Sequence, residues 1–182
     1  MHPTAGAFAA VFIFLFIAHG IADHYIQTDG EAVDKGKPGW LGRAACAAHV
    51  VSYTVCTSVA VLLADWLLDL RLSLWAILAG QAISAVTHYW ADRRTTLEKF
   101  CTLLGKGNFY RLGRPRKLTA VVDGDPDYTE TVSLYHSGDL NRLDDLEGAD
   151  WDAPHLGTGA YVLDQWWHLG WLLVAAVVTV AL

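Results

Sequence analysis

Three histidine–aspartate pairs with four-residue spacing lie inside or at the ends of long apolar stretches. The pairs are His19 with Asp23, His88 with Asp92, and Asp164 with His168. Residues four apart share one face of a helix, so both members of each pair can point into the same space. Ionisable groups at membrane depth are costly and mark functional sites. His49, near the start of another apolar stretch, completes a set of seven candidate metal ligands.

The chemistry of these seven side chains indicates a divalent metal. Imidazole and carboxylate together suit zinc, manganese, iron or nickel, and we take zinc as the preferred assignment. The set can supply one zinc with three ligands and an open position, or two ions bridged by a carboxylate. Such a metal lowers the pKa of bound water towards about 7. Asp23, Asp92 and Asp164 are then candidate catalytic bases or orienters of the histidines, which predicts a metal-dependent hydrolase.

Four neighbouring residues are candidates for substrate binding. Gln27 lies one turn beyond Asp23 and could orient a ligand or the substrate, although an interfacial polar cap explains it slightly better. Tyr53 lies one turn beyond His49 and could donate to a developing oxyanion, or it could simply be a buried tyrosine. Arg93 and Arg94 could grip an anionic headgroup. Their ordinary role is to anchor the end of a membrane span.

Composition indicates a membrane protein. The 182 residues are 53% hydrophobic, and the mean hydropathy is +0.28, which favours one small membrane domain over a soluble one. The three cysteines form no CxxC pair, so a disulfide framework is not indicated. No phosphate-binding glycine loop or nucleic-acid motif is present in the sequence, and we expect no nucleic-acid partner.

Four apolar runs of about 20 residues are long enough to cross a bilayer as helices. They cover residues 5–24, 44–64, 73–92 and 159–182. The first lacks the Lys or Arg that precedes the apolar core of a signal peptide, so we assign it as a span. The expected fold is all-α: residues 1–182 form a four-helix transmembrane bundle, with a long, largely irregular cytoplasmic insert at 93–158 between helices 3 and 4.

The distribution of charge predicts the orientation of these spans. Of the thirteen Lys and Arg residues, twelve lie between spans 1 and 2 or between spans 3 and 4. The positive-inside rule therefore places both large loops in the cytoplasm and the termini outside. This topology puts all seven candidate ligands in the cytoplasmic leaflet of a bacterial inner membrane. Sequence order would separate them, but alternating helix direction brings them together.

The insert divides into a basic half, residues 93–117, and an acidic half, residues 123–152. We expect short strands or helices near residues 118–122 and 129–135. Attraction to the membrane surface explains the basic half, and recruitment of an anionic or phosphorylated substrate is the sharper alternative.

Three other readings of the chain remain open. The His/Asp pairs could form a buried polar network that only ties helices together. The protein could be a non-enzymatic phage or host factor whose insert binds a partner. Ion or proton translocation is disfavoured because residues 8–16 and 172–182 are almost wholly apolar. The small residues at 44–48 would also permit a homodimer.

The motifs resemble a known family. They are HGIADHYIQTD at 19–29, AHVVSYT at 48–54, THYWADRR at 87–94 and GTGAYVLDQWWH at 157–168. These are similar to an uncharacterised domain-of-unknown-function family of small integral-membrane proteins from bacteria and their phages, which carries no assigned activity. The pattern is more loosely similar to membrane-bound metal-dependent hydrolases of the bacterial inner membrane, and distantly to the seven-span alkaline ceramidase superfamily. The likeness to the metal-dependent hydrolases implies a hydrolase by analogy.

Overall fold

The computed structural model describes residues 5–111, 117–121, 129–133 and 159–182. These residues are predominantly helical, as the sequence predicts. The elements are α1 (Ala5–Ile21), a π-helical turn (Ala22–Ile26), α2 (Asp29–Asp34), α3 (Gly39–Leu68), α4 (Leu74–Asp92), α5 (Thr95–Leu103), α6 (Gly107–Arg111), β1 (Lys117–Val121), β2 (Thr129–Ser133) and α7 (Ala160–Ala181).

The four long helices pack in a cycle, in which α1 contacts α3, α3 contacts α4, α4 contacts α7, and α7 contacts α1. Three segments are long and apolar enough to cross a membrane: Ala5–Ile26, Gly39–Leu68 and Ala160–Ala181. Helix α4, the third predicted span, is not among them. Its polar side chains Gln81, Ser84 and His88 are buried against the other helices and lower its hydropathy. That α4 also crosses the membrane therefore stays a prediction.

The outer faces of the long helices are apolar. On α3, for example, Val51, Val55 and Val59 are all more than half exposed. Contiguous apolar surface on this scale is rare on soluble monomers and is typical of a lipid-facing surface. Exposed tryptophans lie at both ends of α3, at Trp40 and Trp66. At 1.5 Å per residue they are about 39 Å apart, close to the thickness of a bilayer with its headgroups.

The helix bounds differ from the predicted spans mainly at the connections. Helix α3 begins five residues earlier than predicted and ends four residues later. The loop predicted at 25–43 contains α2, which Thr28 and Glu31 begin with a reciprocal capping box. The turn between α3 and α4 is tight because Asp69 adopts a left-handed conformation and the Asp65 carboxylate accepts a hydrogen bond from the Leu72 amide.

The interior is polar in one half and apolar in the other. From the end where α1, α4 and α7 carry the His/Asp pairs, here called the site end, hydrogen bonds continue inward. Tyr53 pairs with Ser84 at 2.7 Å, and Thr57 donates to Gln81 at 2.8 Å. Beyond them lies an apolar cluster of buried side chains, comprising Val11, Leu15, Val61, Ile77, Leu172, Ala175 and Ala176. The polar interior is therefore closed at its inner end.

The described part of the insert is more ordered than predicted. Helices α5 and α6 pack at the site end through a buried cluster of Ala91, Leu97, Cys101 and Tyr110. Strands β1 and β2 pair antiparallel, with Lys117 opposite Ser133, close to the two segments for which short strands or helices were expected. Residues 122–128 and 134–158, which include the rest of the acidic half, lie outside the described residues.

Candidate metal centre

The structure brings all seven predicted ligands into one cluster at the site end. They come from the end of α1 and its π-helical turn, the first third of α3, the last turns of α4 and the first turns of α7. In the π-helical turn the backbone N–H of Gln27 donates to the backbone carbonyl of Ala22, five residues back, at 2.9 Å. Single π-helical turns often occur at functional sites because they re-aim one side chain. Here the turn contains Asp23.

Four atoms with lone pairs converge at the centre of this cluster. The Nε2 atoms of His49 and His88 face each other at 3.1 Å. Asp23 Oδ1 lies 3.3 Å from the first and 3.6 Å from the second. Asp92 Oδ2 lies 3.3 Å from both. His49, His88 and Asp92 are each at most 2% exposed, so these atoms meet in a region largely closed to solvent.

Hydrogen bonds alone fit this convergence poorly. Two neutral imidazoles bring at most two Nε2 hydrogens to the four atoms, and if both are present they oppose each other across 3.1 Å. If one is present, it can bond the two rings but leaves other contacts facing lone pairs; if neither is present, four lone pairs face one another. Asp23 Oδ1 has no hydrogen-bond partner of good geometry. Buried polar atoms without partners are rare and call for a physical explanation.

The spacing of the ligand atoms matches a tetrahedral metal. Around a zinc with bonds of about 2.0–2.1 Å, neighbouring ligand atoms lie about 3.3 Å apart. The His49, His88 and Asp92 atoms form a triangle with sides of 3.1, 3.3 and 3.3 Å. Three protein ligands of this kind leave one position open, which is the arrangement of catalytic zinc sites.

Two further groups of three could hold a metal. One consists of His19, Asp23 and His88, and the other of Asp92, Asp164 and His168. Each shares one residue with the central triangle, which makes Asp92 a candidate bridging carboxylate between two ions. His168 is well prepared as a ligand, because its Nδ1–H donates to the Asp164 carbonyl at 2.8 Å. A carbonyl can only accept, so Nε2 keeps its lone pair.

Lys35 is a residue of the cluster that the sequence did not reveal. Its ammonium group lies 3.0 Å from both carboxylate oxygens of Asp92, and the two side chains are 11% and 2% exposed. Lys35 directly follows α2, so this short segment covers the site. The Thr28-x-x-Glu31 capping box is a readable signal for α2. Nothing in the sequence indicates that the segment folds onto Asp92.

Arg93 and Arg94 hold this covering segment in place. Arg93 donates to the carbonyls of Lys35 and Lys37 at 2.6 and 2.7 Å, and Arg94 donates to the Ala32 carbonyl at 2.8 Å. These contacts use the guanidinium groups for packing within the chain. The predicted grip on an anionic headgroup stays a prediction.

Of the remaining predicted contacts, Tyr53 lies against the cluster, and Gln27 directly follows the π-helical turn that contains Asp23. The Tyr53 ring packs against His88 with centroids 3.9 Å apart, and its hydroxyl is committed to Ser84. Tyr53 therefore supports the site from within the bundle. The side-chain Nε2 of Gln27 is buried without a hydrogen-bond partner, so the side-chain amide remains free to orient a ligand.

Comparison with family models, with curated proteins and with solved structures finds no match for this chain. The family resemblance drawn from the motifs therefore stays a prediction. The case for a function rests on the geometry of the site.

Proposed function

We propose that this chain is an integral-membrane, metal-dependent hydrolase of a bacterial inner membrane or of a phage-infected host. In this proposal four helices span the bilayer, the large loops are cytoplasmic, and the cluster binds one or two divalent ions, with zinc preferred. The substrate is a lipid, or another ester, amide or phosphoester reached from the cytoplasmic leaflet. The observation that carries the proposal is the buried triangle of His49, His88 and Asp92.

The charge of the cluster supports a bound cation. With Asp23 and Asp92 ionised, two negative charges lie near the ammonium of Lys35, which pairs with Asp92. One negative charge is then left without a Lys or Arg partner among the described residues, in a largely buried site. Uncompensated buried charge is strongly destabilising. A bound cation would compensate it.

The side chains of the cluster would have different roles in metal binding and proton transfer. A bound metal would supply an activated water at neutral pH. His49, His88 and Asp92 would hold the metal, and Lys35 would balance Asp92. Asp23, which contacts both His49 and His88, is placed to accept a proton at the open position. Asp164 is 27% exposed at its side chain and can exchange protons with the outside of the cluster.

Elemental analysis of detergent-purified protein made without a His tag tests the proposal. We expect one or two equivalents of a transition metal, lost from His49→Ala and Asp92→Asn. His24→Ala is the matched control, because His24 is exposed beside Asp23 and outside the cluster. Loaded protein should then hydrolyse members of a panel of lipid and phosphoester substrates. A folded protein without metal would contradict the proposal.

Ion or proton translocation is the second candidate. It gains support from the polar contacts Tyr53–Ser84 and Thr57–Gln81, which continue inward from the site. The apolar cluster beyond them argues against a continuous path. Flux across liposomes that is lost in Asp23→Asn would favour translocation over hydrolysis.

A non-enzymatic interaction factor is the remaining alternative. Replacing residues 124–150, which lie largely outside the described residues, with a flexible linker should spare bound metal. The same change would abolish a function that depends on a partner of the insert.

A further inference from the structure

An apolar groove runs between α1 and α7 on the outer face of the helices. It consists of two adjoining cavities with volumes of about 520 and 370 Å³. Phe16, Trp166 and Leu169 line both cavities, so the two are parts of one groove. The part nearer the site end reaches His19, and the deeper part is bounded by Phe12 and Leu173. We call this feature the α1–α7 groove.

The length of the groove suits one hydrocarbon chain. It extends along α7 from Tyr161 to Leu173, which at 1.5 Å per residue is about 18 Å. One leaflet contributes about 15 Å to the hydrocarbon core of a bilayer. The groove is therefore about as long as one acyl chain in a single leaflet.

The part of the α1–α7 groove nearer the site end meets the proposed metal centre. His19 lines it and is only 3% exposed. Both of its ring nitrogens are buried without a hydrogen-bond partner, and its Nδ1 lies 3.6 Å from Asp23 Oδ2. Gln165 lines the same cavity. An apolar groove that ends at the polar side chains of His19 and Gln165 matches an amphiphile, with its chain in the groove and its polar linkage at the histidine.

We infer that the α1–α7 groove takes one acyl chain of a membrane lipid, which enters sideways from the bilayer and places its ester, amide or phosphoester linkage at His19. This inference rests on the proposed function and narrows its substrate class to chain-bearing lipids. Water-soluble esters would reach the same ligands without the binding energy of the groove.

Gly170 provides the means to block the groove. It lines the deeper cavity, and no heavy atom lies within 4 Å of a Cβ built there, so the helices can accept a side chain. Gly170→Leu should fill the groove without disturbing the seven ligands. Gly6→Leu is the matched control, because Gly6 is equally open and lies outside the groove.

The experiment uses phosphatidylethanolamine with a photoactivatable diazirine in one acyl chain, incorporated into nanodiscs with the full chain. Crosslinked peptides are mapped by mass spectrometry, and metal content is measured on the same samples. We expect crosslinks concentrated on residues 12–16 and 166–173. Gly170→Leu should reduce them roughly tenfold, the low end of the effect of a misfitting methylene in an apolar pocket. Gly6→Leu should retain them.

Two results would overturn the groove assignment. Crosslinks spread equally over the outer faces of α3 and α4 would indicate bulk lipid, and protein–protein crosslinks across the groove would indicate a second copy. If metal is bound but groove crosslinks are absent, the groove is wrong and the hydrolase proposal survives. If groove crosslinks appear in a metal-free protein, the lipid site stands and the hydrolase proposal fails.

Discussion

Replacing Lys35 with methionine tests whether a buried cation and a metal serve the same carboxylate. The substitution keeps most of the side-chain volume and removes the ammonium group, which lies 3.0 Å from both oxygens of Asp92. Removing one partner of a buried ion pair costs about 3–5 kcal/mol, because the other charge is left buried. Lys35 is 11% exposed at its side chain, so some solvent screening remains and we expect about 3 kcal/mol.

The assay is the free energy of unfolding in detergent, followed by tryptophan fluorescence, with chelator and again with zinc. In chelator, Lys35→Met should show the full loss of stability. With zinc the loss should shrink, because a divalent ion at Asp92 compensates the same charge. Lys37→Met is the matched control on the same segment. Its pair with Asp34 is 58% and 42% exposed, and exposed pairs contribute about 0–1 kcal/mol.

Two results would refute this reasoning. If Lys35→Met is as stable as the parent protein in chelator, Asp92 does not depend on a buried cation. If the loss is the same with zinc and with chelator, no metal acts on Asp92, and the central triangle is a hydrogen-bonded network. The control variant excludes a general effect of removing a positive charge from this segment.

Three further predictions concern the elements that position the site. Gly80→Ala should lower the free energy of unfolding by about 1–3 kcal/mol, since a Cβ there meets the backbone of α7 at 2.9 Å; Gly6→Ala, in open space, should be neutral in the same unfolding assay. Arg93→Gln should release the covering segment at 35–37, whose carbonyls it binds. Hydrogen exchange there should rise roughly tenfold, equivalent to about 1.4 kcal/mol, and unchanged exchange would contradict the assignment. Burial raises the pKa of the Cys101 thiol, so less thiolate is present at a given pH. Maleimide labelling should therefore be slower than for an exposed cysteine and should accelerate as pH rises or when denaturant releases α5.

Several features of the fold and site could be predicted from the sequence because they depend on local periodicity. The apolar runs predicted the long helices, and the four-residue spacing put His88 and Asp92 on one face of α4. The His/Asp pairs also predicted which side chains would meet. Periodicity carries no information about how a polar connecting segment folds back. The α2 segment and Arg93 were therefore assigned to a loop and to a headgroup, whereas in the structure each holds the other at the site.

By itself, the sequence determined the chemical types at the site and the apolar surface around it, because both follow from residue identity and helical spacing. Tertiary structure alone decided that the Nε2 atoms of His49 and His88 face each other at 3.1 Å, that Lys35 balances Asp92, and that a groove between α1 and α7 reaches His19. The reason is physical. Distances between side chains on different helices depend on how those helices pack, and packing is set by all of their contacts together rather than by any one stretch of chain.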